Sequence, residues 1–157
     1  MRRIFLTVIL GLAIPVTALA APLAAGDGSL ALTSASGTIF VQGRGLIYGH
    51  VDSGTLMVLD YKPDDGVSAP VVSTGKAKYT KGSGVFQGSD MRFLLPSGRY
   101  TIELVGVEID ASGIGRGSIV ATGLGTSDDG SYSVNGGKPQ LLGKVQIGDV
   151  FGGKTPS

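Results

Sequence analysis

His50 is the only histidine in the chain, and there is no cysteine. One imidazole without thiols cannot build a zinc site unaided, because zinc takes four N, S or carboxylate ligands. Asp52 and Ser53 follow closely, so a Ser–His–Asp nucleophile is one reading of this segment. Triads are defined by geometry rather than by sequence neighbourhood, and an ordinary strand histidine accounts for the same residues. No catalytic residue, metal ligand or cofactor is assigned from this segment.

The acidic pairs Asp64-Asp65 and Asp128-Asp129, with Asp52, Asp60 and Asp110, could supply two carboxylates for glycoside hydrolysis. That chemistry needs the carboxyls facing each other across a sugar, about 5–10 Å apart. Calcium is the other option, but the alternating acidic loop of an EF-hand is absent. Asp-Gly turn chemistry explains both pairs without any ligand. Gly113-Ile114-Gly115-Arg116-Gly117 resembles part of a phosphate-binding loop, yet it lacks the spacing and the following helix. Gly43-Arg44-Gly45 repeats its Gly-Arg-Gly triplet. Lys76, Lys78 and Lys81 around Tyr79 form one basic cluster, which reads as a solvated edge that discourages strand-to-strand association. There is no tryptophan, so Tyr61, Tyr79 and Tyr132 are the remaining aromatic candidates for a sugar platform. The binding residues stay open.

The elements that would position these residues read as strands. Between Arg99 and Glu108, Tyr100, Ile102 and Leu104 alternate with Thr101, Glu103 and Val105, which predicts a strand with one buried side. At Gly106 the apolar phase changes, as a bulge or bend requires. Pro96-Ser97-Gly98 predicts a hairpin connection from the Met91–Leu95 run, and Asp52-Ser53-Gly54 predicts another turn. Gly43-Arg44-Gly45 predicts a turn or bend. Pro63-Asp64-Asp65-Gly66 marks a loop, and Asn135-Gly136 is a strong hairpin signal. No segment shows helical periodicity with caps. About nine or ten short strands in an antiparallel β-sandwich or small β-barrel are expected.

A fainter copy of the central stretch lies upstream. With an offset of 63, Thr38–Asp60 aligns with Thr101–Gly123, and four of the twenty-three positions are identical. Gly43 falls on Gly106 and Gly54 on Gly117, eleven residues apart in each copy. These four glycines are the expected structural turns or bulges. Two duplicated units, or a chance likeness within a glycine-rich chain, both account for the match.

Composition sets the class and the address. Arg2-Arg3, the apolar run Ile4–Ala13 and Ala18-Leu19-Ala20 make a secretory signal, with cleavage expected after Ala20. An uncleaved anchor is the alternative, since Ile4–Ala20 reaches the lower limit for spanning. Residues 21–28 read as a lead-in, 29–150 as one all-β domain and 151–157 as a tail. Of the 157 residues, the processed chain would keep 137, among them 26 of the 27 glycines. They punctuate short apolar runs rather than forming a collagen period. Without Arg2 and Arg3 there are 11 basic against 12 acidic side chains, a balance of −1. That gives no electrostatic case for nucleic acid or an anionic membrane surface.

The segments Gly43–Ile47, Asp52–Thr55, Tyr100–Gly106, Gly113–Gly117 and Gly130–Gly136 together resemble a family of short secreted or envelope bacterial proteins without an assigned function. The likeness covers roughly residues 28–137. It departs at Ile109-Asp110-Ala111-Ser112, where that family often reads Ile-Asp-Leu-Ser. The resemblance implies an exported all-β protein and no functional residues. The expected function is a non-catalytic binding or envelope-associated module with an unidentified envelope or extracellular partner. No membrane insertion is expected after signal cleavage. A small hydrolase of envelope polysaccharide is the alternative.

Overall fold

The computed structural model describes residues 25–74, 77–79 and 83–153. The signal expected over 1–20, Lys76, Lys81 and residues 154–157 lie outside them. The described chain is all β, with no helix. Two strands dominate: β1 (Gly28–Pro63) has 36 residues and β4 (Gly84–Gly123) has 40. The short strands are β2 (Val71–Thr74), β3 (Ala77–Tyr79), β5 (Ser131–Val134), β6 (Gln140–Leu141) and β7 (Ile147–Phe151). All pair antiparallel in one sheet of order β3-β2-β4-β1-β5-β6, with β7 on β4. The antiparallel sheet is not closed into a barrel, one of the two arrangements expected.

The expected nine or ten short strands are also replaced. Typical strands run about five or six residues, whereas β1 and β4 are several times longer because they pair with each other twice. Val51 faces Met91 on one side and Ile109 on the other; Leu56 faces Phe86 and Leu104. The anticipated turns at Gly43-Arg44-Gly45, Asp52-Ser53-Gly54 and Pro96-Ser97-Gly98 all lie inside these continuous strands. Glycine bends the backbone there, but a facing strand still takes its hydrogen bonds, so the ladder continues through the bend. The shifts in apolar phase fall beside Asp90 and Glu108, both at φ 48°.

Register shows where the glycines went. Gly88, Gly54, Gly106, Gly37 and Gly123 face one another in a row across five strand segments. Gly98, Gly45, Gly115 and Gly28 form a second row, with Pro63 opposite Gly98. At Gly37, Gly45, Gly54, Gly98, Gly106 and Gly115 the facing backbone comes too close for a side chain. A Cβ on Gly54 would lie 2.2 Å from the Val105 carbonyl oxygen. The shared eleven-residue spacing of Gly43/Gly54 and Gly106/Gly117 has the same origin, since Gly43 faces Gly117 and Gly54 faces Gly106. Residues that face each other in an antiparallel ladder must be equally spaced on both strands.

The core lies on the inward face between the glycine rows. Ile39, Val41, Ile47, Val51, Leu56, Ile102, Leu104, Ile109 and Ile119 are all buried there. One inward row reads Tyr61, Tyr100, Gly43, Gly117 and Phe151 across neighbouring segments. The two glycines leave room for the rings: a Cβ at Gly43 would sit 3.1 Å from the Tyr100 hydroxyl. Tyr61 donates to the Pro96 carbonyl at 3.1 Å. The Tyr100 hydroxyl is buried without a hydrogen-bond partner among the described residues, and burial pushes its pKa well above the usual phenol value. An unpaired buried hydroxyl costs about 1–3 kcal/mol, so Tyr100→Phe is expected to hold or raise the melting temperature. A clear drop would show that the hydroxyl is bonded in solution.

The C-terminal strands β5, β6 and β7 extend the sheet. Asn135 (φ 54°) and Gly136 (φ 67°) both take positive φ after β5, the backbone that Asn-Gly favours. Phe151, expected to begin a tail, instead ends β7 and is buried.

Candidate functional site

The basic side chains gather in a place that their sequence positions hide. Lys62 faces Arg99, Arg99 faces Arg44, and Arg44 faces Arg116. Four cations therefore stand side by side on adjacent strand segments, one residue from the second glycine row. Directly opposed side chains share a face of the sheet, so all four project outward. All are exposed. The palindromic triplet Gly-Arg-Gly makes part of this row, because Gly43-Arg44-Gly45 lies antiparallel to Gly115-Arg116-Gly117.

Two carboxylates pair with the row. Arg44 donates to Asp64 at 2.6 Å, and Ser97 donates to the other Asp64 oxygen at 2.7 Å. The Ser97 hydrogen bond, followed by that from Arg44, holds the Asp64 carboxyl below its ordinary pKa. Arg116 meets Asp27 at 3.3 Å and also donates to the Ala25 carbonyl. Arg99 and Lys62 have no ion pair among the described residues. One step along the strands, Asp60, Thr101 and Gln42 form the next outward row. The two rows line an open groove of ≈ 370 Å³. Like charges set directly opposite destabilise a sheet, so two unpaired cations here leave a demand for anions that the described residues do not meet.

No protein family, curated relative or solved structure matches this chain.

The residues first considered for chemistry are dispersed. His50 meets Asp90 at 3.0 Å rather than Asp52, and Arg92 reaches the same Asp90 oxygen at 3.5 Å. Ser53 pairs in the ladder with Ser89 and Val107. Asp110 accepts from the Ser34 backbone at 2.9 Å. Asp129 is buried and accepts from Gly125 N at 2.5 Å and from the Thr126 hydroxyl. The Thr126 hydroxyl is the main reason its carboxyl titrates below the usual range. Asp52, Asp65 and Asp128 are exposed. Among the described residues no three His, Cys, Asp or Glu side chains converge as a metal group would require.

The remaining candidates divide in the same way. The Gly113–Gly117 segment lies within β4, facing β1, so its amides belong to a ladder instead of a phosphate cradle. Tyr61 and Tyr132 are buried. The backbone of Lys78 and Tyr79 lies on the edge strand β3. Of the residues first considered for a site, only Arg44, Arg116, Asp60 and Asp64 meet at one place. Arg99 and Lys62 carried no sequence signal, because only the pairing register brings them alongside.

Proposed function

We propose that this chain is an exported, non-catalytic binding module of the cell envelope or its surroundings, and that the Lys62–Arg99–Arg44–Arg116 row is its binding face. The observation that carries this reading is the row itself: four cations in direct register, with Arg99 and Lys62 unpaired among the described residues. Guanidinium groups present flat forks of donors suited to carboxylate, sulfate or phosphate. A rigid two-edged ladder holds them in place, which lowers the ordering cost of binding. The secretory signal and the likeness to short secreted bacterial proteins support the address. The two long strands are read as duplicated units, consistent with Thr38-Ile39 and Thr101-Ile102 sharing the same outward–inward phase.

Co-sedimentation of the exported protein with an envelope preparation from its source tests the function. The expected result is that wild type pellets with the envelope and the double variant Lys62→Glu/Arg99→Glu stays in the supernatant. Equal pelleting of both would remove the row from the function. Release of reducing sugar ends during the incubation would favour the hydrolase instead.

A further inference from the structure

We infer that the ligand of this face is a linear acidic polysaccharide, one bearing carboxylate or sulfate on successive sugars. This inference rests on the binding function proposed above. Two rows carry the argument together. The cation row offers one positive group per strand segment, and neighbouring segments lie about 4.8 Å apart. A polymer laid across the strands therefore meets four cations over three steps, with Lys62 and Arg99 unpaired among the described residues. A single small anion could neutralise the unpaired Lys62 and Arg99, whereas a longer ligand also reaches the guanidinium donors that Arg44 and Arg116 do not spend on Asp64 and Asp27.

The second row selects the chemistry between the charges. Asp60 and Gln42 are exposed there, flanking Thr101, in the same groove as Arg44, Arg99 and Lys62. The Asp60 carboxylate accepts hydrogen bonds and donates none, while the Gln42 amide both accepts and donates. Asp60 needs donors from the ligand. Sugar hydroxyls supply them beside the acidic groups. An ionised polyphosphate chain has acceptors only, and Asp60 would repel it. A ligand with both anions and hydroxyls satisfies both rows.

Titration calorimetry with four probes tests the inference: polygalacturonate, its fully methyl-esterified form, neutral dextran and inorganic polyphosphate. Polygalacturonate is expected to bind, with affinity falling as salt rises. The ester and dextran are expected to show at least tenfold weaker binding. Lys62→Gln/Arg99→Gln should weaken polygalacturonate binding at least tenfold. Both side chains are exposed, so the melting temperature should stay within a few degrees and show that the variant is folded. Asp60→Leu should weaken polygalacturonate while leaving polyphosphate unchanged or improved. Polyphosphate binding tighter than polygalacturonate, or no polygalacturonate binding by wild type, overturns the inference. If envelope pelleting still depends on Lys62 and Arg99 in that case, the binding function stands and only the ligand class is wrong.

Discussion

Gly45→Ala is expected to abolish cooperative folding. Gly45 sits at φ +136°, which L side chains rarely adopt, and its Cβ would lie 2.1 Å from the Ile114 carbonyl oxygen and 2.9 Å from the Gly115 Cα. Both obstacles are backbone, so no rotamer change relieves them. Gly45 also pairs with Gly98 on its other edge, so moving away from β4 on one side drives it into β4 on the other. The expected cost exceeds about 4 kcal/mol, beyond what ordinary surface substitutions produce. A domain of this size has only about 5–15 kcal/mol in total. Gly143→Ala is the control, since nothing lies within 4 Å of its Cβ position. Urea unfolding followed by circular dichroism compares them. If the midpoints of Gly45→Ala and wild type coincide, the strands are not held at this separation and the glycine rows lose their meaning.

The same glycines show why some of the fold could be read from the sequence and some could not. Alternation such as Tyr100, Ile102, Leu104 reports which side of a strand is buried, and those residues are buried. Alternation is local, so it cannot say that one strand will be paired along both edges by the same partner. Glycine signals a special backbone, but a hairpin, a bulge and a close strand crossing all make that demand. At Asn135-Gly136 it is a turn; at Gly43 and Gly54 it is an approach of two backbones within a strand. The cation row was hidden for a related reason. A net charge near zero averages over the chain, whereas Lys62, Arg99, Arg44 and Arg116 become neighbours only through register. The two Gly-Arg-Gly triplets were the one visible sign of it.

Phe151→Ala is expected to destabilise the protein by about 3–5 kcal/mol, the usual cost of deleting a fully buried aromatic ring. Six residues before Ser157, this position reads as a tail by sequence alone. Its ring is nevertheless 1% exposed, in a row with Tyr61 and Tyr100. Space for it is made on the facing strand, where a Cβ on Gly117 would stand 2.8 Å from the Phe151 Cζ. Nothing bulky can enter from that side to refill the gap, because Gly117 and Gly43 have no side chains to offer. The strand carrying Phe151 lies along Gly117–Ala121, next to the Arg116 end of the cation row. Loss of the ring is thus expected to loosen Arg116 along with the edge, and amide exchange should quicken at residues 117–121 and 147–151. Val150→Ala removes a side chain that is 62% exposed one residue earlier and is expected to change stability by no more than about 0.5 kcal/mol. Equal, small effects from the two substitutions would mean that β7 does not belong to the core, and Gly117 would then need another reason to be glycine.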